Sequence, residues 1–174
     1  MSLPHAILTS LLERPCTGAE LARRFDKSLG YFWQATHQQI YRELGKMEQA
    51  GLVAALGLPS SRGQQRYFEV LDPGRAELQR WCGGQGDPRP MRDELLVRMR
   101  AAAVLGTVDV TDELRRHQHL HTETLQRYRL IELKDFPPGT ARSAADELQL
   151  AVLRAGIAFE LSWLAWCEQT LIDL

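Results

Sequence analysis

The chain holds only three cysteines, Cys16, Cys82 and Cys167, an odd number set far apart and without a CxxC pair. That spacing excludes a disulfide framework and a cysteine-paired zinc site, and it fits a reducing cytoplasm. Both thiols at Cys82 and Cys167 are expected to be small buried apolar groups. No basic segment followed by an apolar core opens the chain, so no export signal is expected. The apolar stretch near the C-terminus is interrupted by Glu147, Arg154, Glu160 and Glu168, which argues against a simple spanning helix and against a membrane partner. Phosphate loops, nucleophile elbows and HExxH are missing too. No enzyme and no cofactor are therefore expected. His117, His119 and His121 place two imidazoles on one helix face, but no third ligand is spaced to complete a metal site.

An excess of either charge is also lacking, since 21 basic residues stand against 22 acidic ones. A surface wholly committed to nucleic acid is excluded, and only a local basic surface remains. The charge is uneven along the chain. Residues 1–82 carry net +2, residues 83–174 net −3, and residues 14–46 net +3. What is present is ordinary globular material, 44% hydrophobic and 25% charged. Gly83, Gly84, Gly86, Pro88 and Pro90 have linker composition. The expected organisation is a first domain over 1–83, a linker over 84–90 and a second domain over 91–174.

Leu3, Ile7, Leu8, Leu11 and Leu12 recur at helical spacing until Pro15, which predicts a first helix. Thr17 with Glu20 is a capping box that opens a second. Trp33, Leu44 and Met47 lie within about 40° of Ile40 on a helical wheel and mark with it the core stripe of a third, which ends at Gly51. Leu52, Val53 and Leu56, a Gly/Pro/Ser-rich turn and Arg66-Tyr67-Phe68-Glu69-Val70 predict a hairpin. Asp72-Pro73 predicts an N-cap and first turn for a fourth helix carrying Leu78 and Trp81. Beyond the linker, helices are expected over 91–105 and 111–133 and from about Ser143 to the end. The fold expected is mainly α: a winged helix-turn-helix with a two-stranded β wing, then an all-helical part ending in a long helix.

Opposite its core stripe the third helix carries Gln34, Ala35, Gln38, Arg42, Gly45 and Gln49, with Tyr41 and Lys46 on the flanks. Gln suits adenine and Arg suits guanine, and no acidic residue occurs between Lys27 and Arg42. A solvated polar helix face has the same composition. Leu3-Pro4-His5-Ala6-Ile7-Leu8, Gly30-Tyr31-Phe32-Trp33, Gln39-Ile40-Tyr41-Arg42-Glu43-Leu44 and Glu48-Gln49-Ala50-Gly51-Leu52-Val53 closely resemble the PadR family of transcriptional regulators. So do Arg92-Asp93-Glu94-Leu95-Leu96-Val97-Arg98 and Gly156-Ile157-Ala158-Phe159-Glu160-Leu161-Ser162-Trp163-Leu164, so the resemblance covers nearly the whole chain.

The resemblance implies a regulator, more often a repressor, that reads double-stranded DNA as a homodimer on an inverted repeat. It assigns base or backbone contact to Gln34, Thr36, His37, Gln38, Tyr41 and Arg42, with Lys46 on phosphate. Thr17 and Gly18 are candidates to offer helix N-terminal amides to a phosphate. The wing offers Arg62 and Arg66, fewer cations than in many relatives, so a shallow salt dependence is expected. Phe32 and Trp33 are expected in the core.

Leu150, Leu153, Ile157, Leu164, Cys167 and Leu171 form a three-four seam expected at the dimer interface, while Val152, Phe159, Trp163 and Trp166 form a second apolar face. Glu160 interrupts the seam, with three readings open: a pair with Arg154, a pair with the partner, or an outward direction. Some relatives bind a small apolar or aromatic effector, for which Tyr128, Trp163 and Trp166 are the candidate lining; the same rings serve equally as dimer-core aromatics. The alternative to a DNA-binding regulator is a ligand-binding or protein-interaction module that keeps the winged-helix fold without sequence-specific DNA contact.

Overall fold

The computed structural model describes residues 3–27, 35–58, 65–88 and 90–174. Its contacts divide the chain into two compact units, Met1–Pro88 and Arg89–Leu174.

The first unit contains α1 (Leu3–Glu13), β1 (Cys16–Thr17), α2 (Gly18–Lys27), α3 (His37–Gln49), β2 (Val53–Leu58), β3 (Gln65–Val70) and α4 (Asp72–Cys82). Its core is Ile7, Leu8 and Leu11 of α1, Leu21 and Phe25 of α2, Ile40, Leu44 and Met47 of α3, and Val53 and Phe68 of the sheet. Each such buried side chain contributes about 1.5–3 kcal/mol, so these contacts, not surface pairs, fix the attitude of α3. Arg24 completes the end of α1 by donating to the carbonyls of Ser10 and Arg14, at 3.1 and 2.6 Å. The end of α3 is a Schellman turn. Gly51 takes φ +69°, its amide bonds to the Glu48 carbonyl, and the Leu52 amide bonds to the Met47 carbonyl.

The hairpin β2–β3 forms as expected, with Val53 opposite Val70 and Leu58 opposite Gln65. A third strand joins it, giving the order β1-β3-β2, with Cys16 opposite Phe68. Two residues following a proline carry no strand periodicity, so β1 left no signature in the sequence. At α4 the expected cap moves by one residue: Leu71 is the N-cap, without a side-chain bond, and Asp72 lies inside the first turn beside Pro73. There its carboxylate meets the positive end of the helix dipole. Cys82 also departs from expectation, since it is exposed at the end of α4 while Cys16 and Cys167 are buried. Burial pushes the thiol pKa values of Cys16 and Cys167 above the usual range.

The second unit is α5 (Glu94–Leu105), α6 (Thr111–Asp135) and α7 (Ala144–Asp173). Asp93 caps α5 through the Leu95 amide, Gly106 ends it at φ +68°, and Ser143 opens α7 in a reciprocal capping box with Asp146. The α6 and α7 helices run antiparallel, because Glu132 meets Arg154 at one end of their contact and His121 meets Glu160 further along. Leu95, Leu114, Trp163 and Cys167 form a core packed by Met99, Val110 and Leu171. Contrary to the sequence expectation, α7 is long and apolar enough to cross a bilayer by length and composition. Between Glu147 and Glu168 only Arg154 and Glu160 are charged, and both are paired to α6.

Candidate nucleic-acid interface

Thr36 is the N-cap of α3. Its hydroxyl accepts from the Gln39 amide at 3.2 Å, and its own amide donates to the Gln39 side chain at 2.9 Å. The helix therefore starts at His37, later than a stripe beginning at Trp33 implies, and Ala35 packs against the core instead of facing outward. The Thr-x-x-Gln pattern of a capping box was visible at 36–39 and was the signal for this boundary. Gln34 and Arg62, nominated as contacts, lie outside the described residues, as do Phe32 and Trp33.

From His37 on, the two faces separate cleanly. Ile40, Leu44 and Met47 are 0%, 1% and 2% exposed, while His37, Gln38, Gln39, Tyr41, Arg42 and Gln49 are all exposed. Arg42 has no ionic partner among the described residues. A polar helix surface is thus held rigidly by the core behind it, with a guanidinium that has no ionic partner among the described residues standing among amides.

The structure brings Thr17, Gly18, Tyr41 and Arg66 together around an open depression of about 320 Å³ that Gly45 and Phe68 also line. The Tyr41 ring lies directly on Gly18, where a Cβ would stand 2.6 Å from its Cε1. The Thr17 amide is already committed: it donates to Glu20 at 2.9 Å, and the Thr17 hydroxyl donates to the same oxygen at 3.0 Å. Those two bonds, the amide first, hold the Glu20 carboxyl pKa below its usual range. The capping box is as expected, but it leaves Thr17 no amide for a phosphate.

Arg66 is committed as well. Its guanidinium is bonded to both carboxylate oxygens of Glu48 on α3 and sits 5.5 Å over the Phe68 ring. The neighbouring Tyr67 hydroxyl donates to the Pro15 carbonyl at 2.7 Å, tying β3 to the segment before α2. Neither Glu48 nor Tyr67 was identified as a site residue from sequence, because their partners lie 18 and 52 positions away. Lys46 projects on the other flank, bonded to Glu43 at 3.1 Å, beside an open groove of about 660 Å³ that Pro4, His5 and Arg80 also line.

In the second unit the nominated residues are mostly spent within one protomer. Leu150 and Cys167 are buried, and Leu153, Ile157, Leu164 and Leu171 are half-buried. Glu160 is only 6% exposed and bonds to His121 Nδ1 at 2.5 Å, while Arg154 bonds to Glu132. None of the three readings of Glu160 included this partner. His121 also stacks on Trp163, with ring centroids 5.1 Å apart. Trp163 and Trp166 meet edge to face, but Tyr128 is buried against Gly156, two turns or about 10 Å along α7 from Trp163. The three rings nominated for an effector thus do not converge within one protomer.

The chain matches two family models, the transcriptional regulator PadR-like family over residues 7–80 and the virulence activator alpha C-terminal family over residues 91–174. It is 39% identical to a probable transcriptional regulator of Mycobacterium tuberculosis, over 97% of this chain and 95% of that one. It is 25% identical to the negative transcriptional regulator PadR of Bacillus subtilis, with the same coverage. Among solved structures, the virulence activator AphA of Vibrio cholerae has a TM-score of 0.79 at 29% identity, covering 99% of this chain and 97% of its own. B. subtilis PadR in complex with operator DNA has a TM-score of 0.85 at 23% identity, covering 100% and 98%. The same protein in complex with p-coumaric acid has a TM-score of 0.76 at 24% identity, covering 99% and 98%. At those two identities the likeness is one of fold.

Proposed function

This protein belongs to the PadR-like family of transcriptional regulators, a family of regulators and not of enzymes, and on that premise we propose that it binds operator DNA through the outward face of α3. The observation that carries the reading is the exposed run of His37, Gln38, Tyr41 and Arg42 opposite a fully buried stripe. Arg42 and Gln38 supply bidentate groups suited to guanine and adenine in a major groove. Arg66 is left out of the contact set because Glu48 holds it. The protein acts in the cytoplasm, where the DNA is.

Two copies bind an inverted repeat, since one short reading helix per monomer gives modest affinity and pairing doubles the contacts. Repression is the direction that needs nothing beyond occupancy of the operator. With Tyr128 and Trp163 committed to packing, this reading includes no effector.

The test is a titration of the duplex upstream of the protein's own gene against a random duplex of equal length, in moderate salt. Specific binding should exceed random binding by at least about 10³-fold. Equal binding to both would favour a module that keeps the fold without reading sequence. Arg42→Ala with Gln38→Ala should remove the preference, each contact being worth about 1–3 kcal/mol, while leaving oligomeric state unchanged by sedimentation.

A further inference from the structure

We propose that Glu48 is a positioning residue for DNA binding: it holds Arg66 on the protein and so withholds the wing's guanidinium from the phosphate backbone. The inference rests on the DNA-binding reading above. The geometry is that of a phosphate contact already filled by a carboxylate. Both oxygens of Glu48 accept from one guanidinium nitrogen, Nη2 of Arg66, in an end-on charge-assisted pair of the kind a phosphate oxygen would otherwise receive. Phe68 lies beneath the guanidinium at 5.5 Å. Both ends of the pair are anchored, Glu48 by α3 and Arg66 by the register of β3, where it stands opposite Gly57. Arg66 also lines the depression shared with Gly18, Tyr41 and Gly45, on the flank of the outward face of α3.

The energetic comparison decides the outcome. Moving Arg66 to a phosphate exchanges one charge-assisted pair for another of the same kind, so the gain is close to nothing. The exchange also frees an anionic Glu48 beside a polyanion, which opposes it. Arg66 therefore stays with Glu48 when DNA binds. Backbone contacts carry no sequence information, so the effect of Glu48 is to lower affinity for all duplexes equally and leave discrimination to Gln38 and Arg42. Lys46, paired to Glu43 within α3, lies on the opposite flank and is outside this exchange.

A double-mutant cycle tests the inference. Fluorescence anisotropy with the upstream duplex and a random duplex, at several salt concentrations, is measured for the unmodified chain, Glu48→Gln, Arg66→Ala and the double variant. Glu48→Gln is isosteric and at the surface, so the fold is retained. It should tighten binding to both duplexes by a similar factor, about threefold to tenfold at low salt, and steepen the salt slope by about 0.9, the value of one added phosphate contact. Adding Arg66→Ala should cancel both changes, whereas Arg66→Ala with Glu48 present should cost less than about twofold. If Glu48→Gln tightens binding equally with and without Arg66, simple repulsion between Glu48 and DNA explains it and the inference is overturned. A full loss from Arg66→Ala with Glu48 present overturns it too. Failure of all four proteins to bind either duplex would defeat the DNA-binding reading itself, and this inference with it.

Discussion

At single positions, the consequential residues are those whose surroundings leave no room for change. Gly74 in α4 is buried, and a Cβ there would stand 2.3 Å from the Leu52 carbonyl oxygen and 2.9 Å from Val70 Cγ1. Leu52 cannot retreat, because its carbonyl also accepts from the Leu71 amide at 3.0 Å and its own amide closes the turn after α3. Gly74→Ala should therefore destabilise the first unit by about 1–3 kcal/mol, read as a lower urea midpoint at unchanged slope. Two side-chain pairs between α6 and α7 provide a contrast. Glu160 is buried with His121, whereas Arg154 and Glu132 pair at the surface. Glu160→Ala leaves His121 without its partner in a half-buried site and should cost about 1–3 kcal/mol. Arg154→Ala should cost about 1 kcal/mol or less, because exposed pairs are screened and entropically expensive. Equal effects in denaturant titrations would show that burial does not separate the two pairs.

Between elements, α1 and α4 are clasped by a group that titrates. The Glu77 carboxylate accepts from Arg80 at 2.7 and 2.9 Å and bonds His5 Nε2 at 3.1 Å, while the His5 ring stacks on Trp81 at 4.4 Å. The Arg80 bonds first, then His5, lower the Glu77 pKa from 4.5 to about 2. A depressed carboxylate stabilises the fold above its unfolded pKa and loses that contribution as pH falls through the folded value. The difference in thermal midpoint between the unmodified chain and Glu77→Gln should be constant above about pH 5 and vanish near pH 2. A difference that grew on acidification would contradict the assignment. This clasp also shows where sequence reading stops. Helices and hairpin were legible because their periods and caps are local: Thr17 with Glu20, Gly51, Ser143. The outward face of α3 was legible for the same reason, since a wheel needs only the order of residues. Pairings set by tertiary approach were not: His5 with Glu77 spans 72 positions, and Arg66 with Glu48 joins a strand to a helix. The seam of α7 was half legible. Its three-four spacing is real, but spacing does not say which of two apolar faces meets the chain's own α6 and which is left over.

For the whole molecule, the face left over on α7 is the one that the proposed homodimer would cover. Leu148, Val152 and Phe159 are 71%, 51% and 53% exposed, and with Ala155, Ser162 and Trp166 they repeat every four and three residues along one stripe. That is the spacing by which two helices pack along a shared seam, with the small Ala155 and Ser162 alternating with large side chains. If the chain reads an inverted repeat as proposed, a contiguous apolar stripe is best covered by its symmetry mate, whose own stripe is identical and therefore self-complementary. Leu150 and Cys167 are already buried against the protomer's own helices and have no surface to give. The two faces should thus respond differently. Val152→Glu with Phe159→Glu should weaken self-association on the order of 100-fold or more, giving monomers by sedimentation with helical circular dichroism intact. The same protein should lose most of its preference for the upstream duplex, because one α3 helix reads only half of the site, while binding to random duplex falls much less. Leu150→Ala should instead lower thermal stability by about 2–5 kcal/mol without selectively dissociating the folded dimer. A dimer that survives both glutamates would place the interface elsewhere, and an unmodified chain that sediments as a monomer at micromolar concentration would remove the symmetric reading of the operator altogether.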